Sequence, residues 1–382
     1  MNSYSRIADL RFVLIWFLVA FSSGASGDGV STTNDLGPAL KDCFLAVKKD
    51  CGSSVMPFAM GDVLYMRILA QQFSLTVPDY GMYMCDLQPG RGKWNFEIVD
   101  HIMDFAKTNH MKVRAHALVY DYPTHRHQEK WTPTPKWVYE GHFSRDEMIR
   151  IMDEHIETVM KRYSNSISQW VVVNEAVGNG PLHEMEDNIW LHAIGKDYVE
   201  LAFAWAHQVA PDAELMLNEY GADFIGQSTS GPFKANRFYK FVKGLREKGV
   251  PINAVGLQFH LTLDEDRPDV ASIENNFARY AGLGVKVYVT ELDIKVKEPV
   301  TEKKLSDQAA LYAMVMSTAL NSTNCAGVSV WDYSDKYSWI TTFRAFPGYT
   351  DADLFDAGLK PKKAFQSILE SCKGARPAVR GR

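Results

Sequence analysis

The stretch WVVVNEA, residues 170–176, decides how this chain is read. Three valines in a row behind a tryptophan make a continuous β-branched, apolar run. That is the pattern of a strand covered on both faces in a parallel sheet, not of a strand with a solvent face. The run ends in Asn174 and Glu175, so a carboxylate stands where the strand stops. A second run, VYVTELDI (287–294), has the same build, with Glu291 closing its apolar part and Asp293 two residues further on. One glutamate at a strand end is ordinarily a solvated loop residue; two at matching positions point to a shared site.

Working outward, six more short apolar runs alternate with amphipathic segments. The eight expected strands are MPFAMG (56–61), FSLTV (73–77), KVRAHALVY (112–120), QWVVVNE (169–175), AELMLNE (213–219), AVGLQFH (254–260), VKVYVTE (285–291) and AGVSVWD (326–332). Helical periodicity fills the gaps, as in residues 99–109, 146–163, 197–210, 234–249 and 306–320. Strand and helix in alternation, eight times over, predict an α/β fold of one domain, a (β/α)8 TIM barrel. In that fold the C-terminal strand ends converge on one face, so His116, Asn174, Glu175, Glu219, His260, Glu291 and Trp331 are expected as neighbours. By count Glu175 lies on strand 4 and Glu291 on strand 7, across the barrel mouth from each other.

With 382 residues, 46% of them hydrophobic, the chain can bury one large core. A net charge of -5 gives no electrostatic footprint for nucleic acid. Arg6 and Arg11 precede the apolar run FVLIWFLVAF (12–21) and the small residues Ser22 to Gly27, the layout of a secretory signal. Residues 1–25 are therefore expected as a signal peptide, 26–54 as an N-terminal cap, 55–372 as the barrel and 373–382 as a frayed basic tail. A secreted, extracellular protein follows, with no membrane attachment once the signal is removed. Five cysteines, Cys43, Cys51, Cys85, Cys325 and Cys372, suit an oxidising compartment and a disulfide. The nearest pair, Cys43 and Cys51, could staple a local loop. His125 and His127 lack a third ligand, so no metal site is expected, and Asn321-Ser322-Thr323 is the one glycosylation sequon.

Paired carboxylates suggest hydrolysis of a glycosidic bond, which needs one carboxyl protonated and one ionised on opposite sides of the anomeric carbon. The residues that carry this reading also carry a resemblance. WVVVNEA, residues 189–220, VGLQFHL (255–261), VTELDI (289–294) and VWDYSDKYSW (330–339), in that order and spacing, resemble glycoside hydrolase family 10, the retaining endo-β-1,4-xylanases. The resemblance runs from about Asp86 to Leu369. It implies that Glu175 is the general acid/base and Glu291 the nucleophile of a double displacement that needs no cofactor. It further implies that Asn174 grips the sugar 2-hydroxyl, that His116 and Gln258 surround the cleaved residue, and that Trp331 and Trp339 form an aromatic floor. His260 and Asp293 are expected to hold Glu291 ionised by hydrogen bonding, with Glu219 a further supporting group.

One region departs from the family pattern. Where the family usually carries Pro-Glu-Asn-x-Met-Lys-Trp after strand 2, this chain has Pro78, Asp79, Tyr80, Gly81, Met82, Tyr83 and Met84. After strand 3 the usual Val-Trp-His is Val119, Tyr120 and Asp121. Asp79 and Tyr83 are expected to contact substrate, but through a carboxyl and a phenol in place of an amide and a cation. Such changes alter which sugar hydroxyls the wall satisfies. The expected function is a secreted retaining hydrolase of β-1,4-linked xylan or xylo-oligosaccharides, acting as a monomer on a polysaccharide or oligosaccharide partner. Two alternatives remain: a hydrolase of another β-1,4-glycan, and a catalytically weak glycan-binding barrel.

Overall fold

A computed structural model describes residues 38–123, 132–179, 184–231, 233–342 and 346–373. The expected signal peptide, the His125 and His127 pair and the basic tail beyond Lys373 lie outside the described residues. Eight strands form the central sheet: β1 (Asp50–Val55), β2 (Leu75–Pro78), β3 (Lys112–Ala115), β4 (Gln169–Asn174), β5 (Glu214–Glu219), β6 (Ala254–Leu257), β7 (Lys286–Lys297) and β8 (Cys325–Val330). Each pairs in parallel with the next, and β8 pairs with both β7 and β1, so the sheet closes on itself. The (β/α)8 barrel expected from the sequence is the fold observed.

The first strand is not where the apolar pattern put it. Residues 56–61 form a short 3-10 turn at Pro57–Ala59, and β1 is the preceding DCGSSV. The expected boundary between cap and barrel at residue 54 therefore falls inside the first barrel strand. This strand escapes an apolar search because its buried side chains are small or polar. A Cβ on Gly52 would meet Ser329 Oγ at 2.5 Å and Leu75 Cδ2 at 2.7 Å, so β1 lies too close to its neighbours for a branched side chain.

Polar groups also fill the lower barrel. Gln169 Nε2 donates to Asp50 Oδ2 (2.7 Å), Arg114 Nε donates to Gln169 Oε1 (3.1 Å), and the Arg114 guanidinium lies 4.7 Å from the centre of the Tyr288 ring. These hydrogen bonds run between different strands, so the layer fixes strands relative to one another. Above it sit Val171, Met216, Ala254 and Tyr288, and nearer the mouth Leu75, Val77 and Trp331.

The larger core lies between barrel and helices. The helix Arg145–Tyr163 starts at a capping box, Ser144 with Glu147, and buries Met148, Ile151, Met152, Ile156 and Val159 along one face. Asp62 caps the helix Val63–Gln72 by accepting from the Leu64 and Tyr65 amides, and Asp269 with Ser272 caps Val270–Ala281. None of the described helices is long and apolar enough to cross a membrane.

All five cysteines are free, which corrects the expected disulfide. Cys51 is buried on β1, and the thiol that Cys43 meets is Cys372, on the C-terminal helix Lys363–Lys373. A staple from Cys43 to Cys51 would require a strand residue to leave its ladder.

Trp170 is fully buried on β4, with its indole N–H donating to Ile167 O at 3.0 Å. Trp170→Ala empties the largest side chain of this layer and should cost about 3–5 kcal/mol of stability. A shift of the denaturant midpoint to lower concentration, with an unchanged folded-state spectrum, is the expected measurement.

Candidate active site

Two irregularities aim the carboxylates. On β4 the register steps from Val171 opposite Met216 to Val173 opposite Leu217, and on β7 from Val289 opposite Val328 to Leu292 opposite Val330. In each case one extra residue is inserted into the strand that carries a glutamate, which breaks the alternation of side-chain directions. On β7 the extra residue falls across Thr290 and Glu291, so these consecutive residues face the same cleft. Thr290 Oγ1 donates to Asn218 Oδ1 (2.7 Å) while the next residue, Glu291, accepts from Asn218 Nδ2 through Oε1 (2.5 Å). Likewise Gln258 Nε2 lies 3.4 Å from Asn174 Oδ1 and 3.1 Å from Glu175 Oε1. Glu175 itself has a left-handed backbone, φ 55°, as do Phe259 and Asp332 at neighbouring strand ends. Non-glycine residues held there are strained, and such strain collects at functional sites.

The two glutamates belong to one hydrogen-bonded chain. Asn218, fully buried on β5, donates to Glu291 and to Asn174 Oδ1 (2.8 Å), and Gln258 connects Asn174 to Glu175. Asn218 has room because β6 carries Gly256 opposite it: a Cβ there would lie 2.0 Å from Asn218 Oδ1.

Around Glu291 stand two histidines and the Asn218 amide. His260 Nε2 lies 3.1 Å from Oε2, and His116 Nδ1 lies 3.9 Å from Oε1. His260 Nδ1 is in turn 2.7 Å from Asp293 Oδ2, which also accepts from the Trp339 indole N–H at 2.8 Å. Burial alone would raise the Glu291 carboxyl. The neighbouring His116, the hydrogen bond and charge of His260 and the Asn218 amide reverse this and hold it below the ordinary carboxylate range. Burial would depress His260, but Asp293 and Glu291 overcome it and raise the imidazole to about 10. His260 is therefore an imidazolium at neutral pH, with both ring nitrogens donating.

Glu175 is shifted the other way. Burial is the largest cause, the charge of Glu291 adds to it, and the hydrogen bonds from Gln258 and Tyr120 oppose it, with a net rise. Behind it, Glu219 pairs with Lys234 at 2.9 Å and accepts from the Val177 amide at 2.9 Å, fixing the backbone just past Glu175. The Lys234 ammonium also lies over the Tyr220 ring, 3.2 Å from its centre. Burial lifts the Glu219 carboxyl to about 7 against the pull of Lys234.

The structure brings every expected site residue to this one face. Trp331 meets His116 edge-on at 5.1 Å, and Trp339 lies against His260 at 5.1 Å. Tyr83 packs edge-on to His116 (5.7 Å) and Tyr80 (6.1 Å) and tilts against Tyr120 (5.8 Å), so the departing segments build a wall of phenols. Asp79 is buried at the end of β2; burial, then the charges of Asp332 and Glu291, push its carboxyl well above the usual range. Its Oδ2 has no hydrogen-bond partner among the described residues. Sequence reasoning missed Asn218, Lys234 and the contact of Tyr120 with Glu175. Asn218 was findable as the residue beside Glu219 at a strand end, but Lys234 lies in an exposed-looking basic helix start with no such mark.

A family model described as glycosyl hydrolase family 10 matches residues 39–371. Endo-1,4-beta-xylanase B of Thermotoga neapolitana is 32% identical over 309 residues, covering 80% of this chain and 82% of its own length. A beta-1,4-xylanase of Dictyoglomus thermophilum is 35% identical over 318 residues, covering 80% and 84%. Among solved structures, xylanase 10B from Thermotoga petrophila RKU-1 in complex with xylobiose aligns with a TM-score of 0.79 at 28% identity, over 90% of this chain and 99% of that one.

The raised His260 carries a pH signature. An imidazole that titrates near 6.5 when unfolded and about 10 when folded contributes stability that is complete below about pH 6.5 and lost as pH rises through 10. Thermal melting between pH 6.5 and 10 should show the wild type falling more steeply than His260→Asn. Parallel slopes would contradict the assignment of His260 as an imidazolium.

Proposed function

Since the chain belongs to glycosyl hydrolase family 10, we propose that Glu291 is its nucleophile and Glu175 its general acid/base, acting on β-1,4-linked xylan or xylo-oligosaccharides. The chain is an endo-1,4-β-xylanase-like O-glycosyl hydrolase of a retaining family. One observation carries the assignment of roles: of two carboxyls joined through a single hydrogen-bonded chain, one is pushed down and the other up. Environments that separate two carboxyls in this way assign base and acid.

In the first step Glu291, kept ionised by His260 and Asn218, attacks the anomeric carbon. Glu175 gives its proton to the departing oxygen, and an ester forms between Glu291 and the sugar. Forming the ester removes the Glu291 charge that helped to raise Glu175. The Glu175 carboxyl then falls in pKa and is suited to take a proton from water, which attacks the ester and restores the configuration. Asn174, its Oδ1 occupied by Asn218, keeps its amide hydrogens for the sugar 2-hydroxyl. Trp331 and Trp339 offer flat faces to the C–H side of the rings. The unpartnered Asp79 Oδ2 would be satisfied by a sugar hydroxyl, and the phenols around it make this end of the cleft uncharged.

Export in the mature form is part of the same proposal and rests on Arg6, Arg11 and the run at residues 12–21. Amino-terminal sequencing of the protein recovered from culture medium should begin near residue 26; recovery only from cells, with residue 1 retained, overturns it.

Glu291→Ala should abolish turnover of dyed xylan. Glu175→Ala should lose roughly 10²–10⁴-fold on the polymer but far less in the first step with an aryl β-xylobioside whose leaving group needs no proton. Equal losses on both substrates would refute the acid role of Glu175. Product analysis on xylan, mixed-linkage glucan and cellulose tests the substrate, and binding without cleavage on all three would favour a glycan-binding barrel.

A further inference from the structure

Glu175 is gripped at both oxygens, and the two grips differ in kind. Gln258 Nε2, 3.1 Å from Oε1, is an amide nitrogen and only donates. Tyr120 Oη, 2.9 Å from Oε2, is a hydroxyl, which donates and accepts with equal ease. A double displacement takes Glu175 through both of its states, protonated before the first step and ionised before the second. At the oxygen that carries the proton, a donor-only partner matches just the ionised state. We propose that Tyr120 is a positioning residue that holds Glu175 in both states by reversing the direction of one hydrogen bond.

The inference rests on Glu175 being the acid/base. With Glu175 ionised, the Tyr120 O–H donates to Oε2. With Glu175 protonated and the cleft empty, the carboxyl O–H donates to Oη, and the phenol hydrogen turns about the Cζ–Oη bond toward the cleft, where Tyr120 is partly exposed; bound substrate then takes that carboxyl O–H over to its glycosidic oxygen. No proton leaves Tyr120 at any point, so the proton count of the reaction is unchanged.

The ring is well placed to stay still while its hydroxyl turns. Tyr120 sits just past β3, and the neighbouring Val119 forms a parallel bridge to Val173 of β4, the strand that carries Glu175. Val119 N donates to Val172 O (3.0 Å) and Asn174 N donates to Val119 O (2.9 Å), so the backbones of the two partners move as one. Tyr83 tilts against the ring at 5.8 Å and Tyr122 meets it edge-on at 5.7 Å. The indole that the family pattern usually carries at this position could only donate. Tyr120 therefore adds an acceptor that the pattern lacks.

Tyr120→Phe keeps the ring and removes the hydroxyl, so it tests the hydrogen bond with the packing intact. The bond to ionised Glu175 is charge-assisted and the stronger of the two, so its loss disfavours that state more than the protonated one and slows the second step, which needs it. With an activated aryl β-xylobioside, kcat and KM should fall together by about tenfold and a burst of aryl release should appear, because the ester accumulates. The alkaline limb of kcat/KM should move to higher pH by about 1. A purely structural role would lower the melting temperature and leave the limb, the burst, kcat and KM as in the wild type; that result overturns the proposal. Glu175→Ala assayed beside it separates the two readings. Full activity of Glu175→Ala on xylan refutes the acid/base assignment itself, whereas its loss together with an unaltered Tyr120→Phe pH profile refutes only the role of Tyr120.

Discussion

The amide of Asn218 is the contact on which the site depends. It is fully buried, and its nitrogen serves Glu291 and Asn174 while its oxygen accepts from Thr290. An amide offers donors and acceptors in one rigid plane, so satisfying all of them fixes the two strands on which those residues lie relative to β5. Replacing any partner would leave a buried polar atom unmatched, a cost comparable to the net worth of several surface contacts. Gly256 belongs to the same arrangement, because the space that holds the amide is the space a side chain on β6 would take.

From that fixed point the electrostatics follow by position. The Glu291 carboxyl faces His116, His260 and the Asn218 amide and is held down; the Glu175 carboxyl faces the negative charge of Glu291 and is held up. The difference is not one of residue type, since both are glutamates at strand ends. The same burial acts on both, and the sign of the shift is decided by what stands within a few ångströms. Asp293 extends the asymmetry outward, fixing His260 from behind while accepting from Trp339, so the floor under the sugar and the charge state of the nucleophile share one carboxylate.

The glycone wall uses another chemistry. Tyr80, Tyr83, Tyr120 and Tyr122 pack ring against ring and bring hydroxyls where the family pattern brings a cation, an amide and an indole. Phenols keep area and orientation at little conformational cost, and they leave charge out of a cleft that already holds Asp79, Asp332 and two glutamates. Burial first, and after it the charges of Asp332 and Glu291, push Asp79 up, and a lysine among these carboxyls would work against them.

Alternation of apolar runs with amphipathic helices was enough to predict the barrel, because a parallel strand covered on both faces must read as WVVV does, and the positions of Glu175, Glu291, His260 and Trp331 at strand ends followed from it. The first strand was not legible: DCGSSV owes its burial to small residues pressed between β2 and β8, and local hydrophobicity carries no trace of such a fit. Nor could residue order disclose the bulge that turns Thr290 with Glu291 toward one cleft, since a register shift exists only between paired strands, or the left-handed backbone of Glu175. The meeting of Cys43 with Cys372 in place of Cys51, the service of Asn218 to two strands and the hand of Tyr120 on Glu175 were likewise decided by closure of the sheet. Chemistry at each position was written in the chain; which groups would share a proton or a charge depended on distances that only the closed barrel creates.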